Sequence, residues 1–149
     1  MPDGTINVAD RALAEAELVE KAKRLAPQLA DRARQAELDR RISDQTNTDF
    51  RDAGFYRALQ PARYGGFELD YGAQTAFSRE LGRVCASSAW VAGILACHGW
   101  IGGMFPDEAQ GEIWSDDVDA TIATSFLPVG VEVEGRGEGI RISGRWRIS

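Results

Sequence analysis

The apolar positions of the first forty residues recur every three or four. Leu18, Ala22, Leu25, Leu29, Ala33 and Ala36 form one stripe on a segment otherwise dense in Ala, Glu, Arg and Lys. That is the pattern of an amphipathic helix over 8–40 with a solvated, charged outer face. Pro27 falls inside the stripe. A proline removes an amide donor and crowds the preceding turn, so the pattern predicts a kink there or a division into two helices. A second helix is predicted from Thr46, where Thr46-x-x-Asp49 resembles a capping box; it carries Phe50, Phe55 and Leu59 inward and ends before Pro61. Pro61, Gly65 and Gly66 then demand a tight turn, from which Tyr64 is placed to pack or hydrogen-bond. A third helix starts near Tyr71 and either runs on or breaks near 85–88. Pro106 permits a short last helix in DEAQGEIWSDD (107–117), with Ile113 and Trp114 as its apolar contacts.

Between these elements, residues 84–105 (VCASSAWVAGILACHGWIGGMF) carry no Asp, Glu, Lys or Arg, yet they enclose the only histidine, His98. The run is long enough for a bilayer, which needs about 20 apolar residues. Its quality is poor: Gly93, Gly99, Gly102 and Gly103, two serines and the histidine interrupt it. The reading is a buried helix whose small residues admit close neighbours, not a membrane span. His98 is then either a core histidine bonded to a backbone carbonyl or the polar group of a dry pocket, with Trp90, Ile94, Leu95, Trp100 and Ile101 around it.

After Asp119 the period changes. The segment 121–127 (TIATSFL) is β-branched and aromatic and reads as a strand. Val131, Val133, Ile140, Ile142, Trp146 and Ile148 alternate with polar residues, and Gly135-Arg136-Gly137-Glu138-Gly139 reads as a hairpin connection. These glycines are turn residues rather than a phosphate loop, because no helix follows to offer its N-terminus. The expected organisation is a helical domain over 1–119 and the start of an antiparallel β domain over 120–149. Since the alternation is still running at Ser149, the chain reads as the front of a longer protein.

Composition narrows the classes. A net charge of −6 over 149 residues opposes binding to a nucleic-acid backbone or an anionic membrane surface. The N-terminus lacks the basic start and apolar core of a signal peptide, so a cytoplasmic location is expected. On one helix Cys85 and Cys97 would stand roughly 18 Å apart, far beyond disulfide reach. With a single histidine and no CxxC pair, no zinc site is expected.

The stretches LQPARYGGFELD (59–70) and RELGRVCASSAWVAG (79–93), in this order between helices and a β segment, resemble the N-terminal region of the acyl-CoA dehydrogenase superfamily. The dehydrogenases themselves carry a Thr-Glu-Pro-x-x-Gly-Ser-Asp loop where their first middle-domain strand ends. Here Thr124-Ser125-Phe126-Leu127-Pro128-Val129-Gly130 lacks the acid and the Gly-Ser-Asp ending. Together with Ser-Gly-Arg-Trp at 143–146, the segment more closely resembles the oxygenase components of two-component flavin-dependent aromatic monooxygenases, of the hydroxyphenylacetate and secosteroid-phenol hydroxylase type.

That resemblance implies a mostly helical N-terminal domain leading into a β domain, and a homotetramer when full length. It implies reduced flavin, FMN or FAD, delivered by a separate reductase, and O2 used to hydroxylate a phenolic or other aromatic substrate. It assigns His98 to the substrate as the catalytic residue, holding the phenol oxygen. Ser125 is assigned to the flavin ring edge and to the substrate, with Thr124 as a neighbouring flavin candidate. Ser149 falls at or beside a second flavin contact. Two other readings stay open: an acyl-CoA dehydrogenase with a diverged loop, and a non-catalytic helical interaction fragment. The segment alone is expected neither to turn over nor to hold flavin tightly.

Overall fold

The computed structural model describes residues 8–146. Helix α1 (Val8–Asp39) runs unbroken through Pro27, so no division into two helices occurs. Pro27 sits on the exposed face, where water can satisfy the carbonyl that loses its amide partner. Leu18, Ala22 and Leu29, on both sides of it, are buried in one continuous core.

Helix α2 (Asp44–Ala53) starts two residues before the expected point. Its cap is Ser43, whose hydroxyl accepts from the Thr46 amide at 3.1 Å. Thr46 and Asp49 instead receive Arg32 of α1, at 3.2 and 2.6 Å. Gly54, at φ +86°, closes α2 in the left-handed conformation that glycine adopts at low cost. Phe50, Phe55 and Leu59 are buried as expected, with Phe55 stacked on Phe77 at 4.7 Å.

Two short 3-10 turns, Phe55–Arg57 and Ala62–Tyr64, replace further helix. The chain doubles back: the amides of Phe67, Glu68 and Leu69 donate to the carbonyls of Arg57, Gln60 and Ala58. Gly66 is required at this crossing, because a Cβ there would collide with the Gln60 carbonyl. Helix α3 (Tyr71–Gly82), capped by Asp70, lies against both α1 and α4 (Ala86–Gly102). The break between α3 and α4 falls at residues 83–85. Among the described residues no helix is long and apolar enough to cross a membrane. Both cysteines are free.

Helix α5 (Asp107–Trp114) is tied to the PxxYGG turn. Arg63 donates to Asp107 at 2.7 Å and to the buried Gln110 at 2.8 Å, and Tyr64 donates to the Asp107 carbonyl at 3.3 Å. Gln110 in turn donates to the Gly103 and Phe105 carbonyls. The motif thus fixes where α5 leaves α4, and Trp114 is buried at their junction. Strands β1 (Pro128–Arg136) and β2 (Gly139–Trp146) form an antiparallel hairpin, with Arg136 opposite Gly139 across the expected glycine turn. The register slips between Val129 and Glu132.

Candidate functional site at His98

The segment after α5 is not the strand that its β-branched residues predict. Residues 118–124 run as an irregular strap along α4 and α5, held by side chains instead of a ladder. Gln60 donates to the Val118 carbonyl at 3.0 Å, and the Trp114 indole donates to the Ala120 carbonyl at 3.1 Å. Arg57 pairs with Asp119 at 3.0 Å. Gly102 lets the strap close on α4, since a Cβ there would run into Ile122 and the Trp114 ring.

His98 is the next tie. Its side chain is 3 % exposed, with Nδ1 2.8 Å from the Ile122 carbonyl and Nε2 3.0 Å from Thr124 Oγ1. A carbonyl can only accept, so the proton of the neutral imidazole sits on Nδ1. Nε2 is then the acceptor, and the Thr124 hydroxyl donates to it. Thr124 itself is half-buried, so it stands between the enclosed imidazole and the outside. The core-histidine reading and the pocket reading therefore meet in one geometry: one ring nitrogen is anchored to the backbone and the other is presented at the strap.

Ser125 follows directly. Its hydroxyl is buried and has no hydrogen-bond partner among the described residues. An unmet buried hydroxyl costs about 1–3 kcal/mol, which a polar atom of a bound group would recover. His98 and Thr124 are thus brought together and Ser125 follows Thr124 in the chain, while Ser149 lies outside the described residues. Trp90 and Trp100 do not enclose His98: they are 69 % and 42 % exposed, and Trp100 meets Tyr71 edge to face at 5.3 Å. Sequence reasoning missed the Ile122 carbonyl, the group that sets the tautomer, because a backbone atom leaves no mark in residue type. It also missed Gln60 and Gln110, buried glutamines whose only signal is their position beside the turn and the last helix.

Cys85 stands at the N-cap of α4, and Cys97 precedes His98 on that helix. Burial raises the Cys85 thiol, but the Ser87 and Ser88 hydroxyls beside it outweigh that and hold it below the ordinary value. Burial pushes the Cys97 thiol up. No group of three or more His, Cys, Asp or Glu able to hold a metal occurs among the described residues.

Residues 14–118 match the family model for the acyl-CoA dehydrogenase N-terminal domain. The chain belongs to that family. It is 36 % identical over 125 residues to the flavin-dependent monooxygenase oxygenase subunit HsaA of Mycobacterium tuberculosis (84 % of this chain, 32 % of the relative). It is 37 % identical to the p-hydroxyphenylacetate 3-hydroxylase oxygenase component of Acinetobacter baumannii, over 79 % of this chain and 28 % of the relative. Among solved structures, XiaF from a Streptomyces species, in complex with FADH2 and glycerol, superposes with a TM-score of 0.86 at 26 % identity, over 93 % of this chain and 35 % of that one. The chain therefore spans about a third of the length of the relatives it matches. The family match upholds the helical N-terminal fold leading into antiparallel β structure.

Proposed function

We propose that this chain is the N-terminal part of a reduced-flavin monooxygenase that hydroxylates a phenolic or other aromatic substrate with O2. The observation that carries the reading is the only imidazole of the chain, buried with Nε2 accepting from the half-buried Thr124, whose neighbour in sequence is a serine with a hydroxyl unpartnered among the described residues. The relatives named as a flavin-dependent monooxygenase oxygenase subunit and a p-hydroxyphenylacetate 3-hydroxylase oxygenase component support it.

In this reading the phenolic hydroxyl takes the place of Thr124 as donor to His98 Nε2. Sharing that proton raises the electron density of the ring. The Nδ1–H bond to the Ile122 carbonyl already suits the imidazolium, so the ring can accept charge without turning. The flavin, when bound, supplies the oxygen-transfer chemistry. Ser125 fits the flavin edge because its hydroxyl needs a partner, and burial beside α4 limits water at the reacting atoms. Either FMN or FAD, a separate flavin reductase, homotetrameric assembly and a cytoplasmic location complete the proposal.

The test uses the whole protein that carries this chain, with a flavin reductase, NADH and a simple phenol. The expected outcome is a catechol product that forms with reduced FMN or FAD and is absent without reductase. Absence of product, with bleaching of bound FAD by an acyl-CoA instead, would place the protein among the dehydrogenases.

A further inference from the structure

The acceptor on which the proposed reaction depends is already taken in the free protein. His98 Nε2 stands 3.0 Å from Thr124 Oγ1, while the Ile122 carbonyl holds Nδ1 at 2.8 Å. A neutral imidazole with its proton on Nδ1 has a single lone pair left, at Nε2. One hydroxyl can hold that lone pair in good geometry, so Thr124 and a phenol exclude each other there.

Thr124 can leave without taking the strap with it. Thr121 and Ala123 are exposed, whereas Ile122 and Thr124 are half-buried, so the two residues that grip the ring alternate with two that face outward. The strap backbone stays fixed by the Ile122 carbonyl on His98 and, further back, by the ties of Trp114 to Ala120 and of Arg57 to Asp119. Rotation about the Thr124 Cα–Cβ bond to another staggered position, about 120° away, takes Oγ1 off Nε2. Because the residue is only half-buried, water can satisfy the released hydroxyl.

Such an exchange discriminates among ligands. A hydroxyl that donates no better than threonine's replaces one bond by an equal one and gains nothing in hydrogen bonding. A phenolic hydroxyl, with a pKa of about 10, is a more acidic donor and does gain. An aryl ether has no proton to donate and leaves Thr124 in place. We infer that Thr124 is an internal competitor for the substrate's hydroxyl, occupying His98 Nε2 in the free protein and yielding it to a donor stronger than an aliphatic alcohol. The inference rests on the proposed hydroxylase reading and narrows its substrate from aromatic compounds at large to phenols with a free hydroxyl. Thr124 becomes a specificity residue.

The experiment titrates the whole protein, kept anaerobic with reduced flavin, with 4-methylphenol and with its methyl ether, 4-methylanisole. Thr124→Val keeps the shape of the side chain and removes the donor. It is expected to bind 4-methylphenol about three- to tenfold more tightly than the wild type, the worth of one net hydrogen bond that the ligand no longer has to break. Its binding of 4-methylanisole should not change. Thr124→Ser, which keeps the donor, should bind 4-methylphenol as the wild type does. Weaker or unchanged phenol binding by Thr124→Val would overturn the inference. Equal tightening for the phenol and the ether would overturn it too, since the gain would then come from shape. Oxidation of 4-methylphenol under O2, followed separately, reports on the hydroxylase reading: a Thr124 effect on binding with no oxidised product would contradict hydroxylation alone, and turnover with no such effect would contradict the competition alone.

Discussion

Replacing His98 by alanine is expected to lower hydroxylation by roughly 10²–10⁴-fold, the usual range for a positioned proton acceptor. The effect is large because the chain has no second imidazole to substitute. It has a structural component as well. Removing the ring leaves the buried Ile122 carbonyl and the Thr124 hydroxyl without the partners they have at 2.8 and 3.0 Å, at a cost of about 1–3 kcal/mol. His98→Gln separates the two components. Its amide can still donate to the Ile122 carbonyl, so stability should largely return, but an amide does not take up a proton and turnover should not. Thermal melts and product yields on both variants check this. A His98→Gln enzyme with wild-type turnover would remove the imidazole from the chemistry and leave it as a tie between α4 and the strap.

Gly66→Ala is expected to be the most damaging single substitution in the PxxYGG turn. The added methyl meets the carbonyl of Gln60, a backbone group that also accepts from the Glu68 amide at 3.0 Å. A side chain could rotate away, whereas a bonded carbonyl cannot move without opening the doubled-back turn. Overpacking of this kind costs about 3 kcal/mol, the upper part of the usual range. For a chain of this size that corresponds to a fall of about 10 °C in Tm. Its neighbour is an internal control. Gly65 lies at φ +79° but offers an added Cβ only ordinary contacts with Val118, at 3.5 Å, so Gly65→Ala should cost about 1–2 kcal/mol of conformational energy alone. Equal losses for the two variants would show that the crossing relaxes more easily than its geometry implies. Because Arg63 and Tyr64 of the same turn anchor α5, the Gly66 variant should also loosen the strap that reaches His98.

Much of this fold is written in side-chain periodicity. The α1 stripe, the inward aromatics Phe50 and Phe55 and the glycine hairpin all follow from spacing, because burial of a face repeats with the element. The misreadings share a different cause. Pro27 does not divide α1, since its ring faces solvent and the buried stripe on both sides continues. Thr46 looks like a cap, but Ser43 is the cap, and Thr46 serves a distant arginine instead. Residues 121–127 have strand propensity, yet in the strap the Ile122 carbonyl bonds the His98 side chain, just as the Ala120 carbonyl two residues upstream bonds the Trp114 indole. Propensity describes a residue; these outcomes are set by partners far along the chain. The candidate site shows the same division. His98 stands out because it is alone in an uncharged run, and Ser125 and Thr124 stand out through the resemblance. The Ile122 carbonyl becomes visible only when the elements are assembled.

In the proposed reaction an oxygen atom from O2 enters an aromatic ring held at His98. The most direct measurement supplies the whole protein that carries this chain with reductase, flavin and a phenol under heavy-isotope O2, and reads the mass of the product. One heavy oxygen per product molecule, lost with His98→Gln, is expected. Product oxygen drawn from water, or no ring oxidation under any flavin, would contradict it.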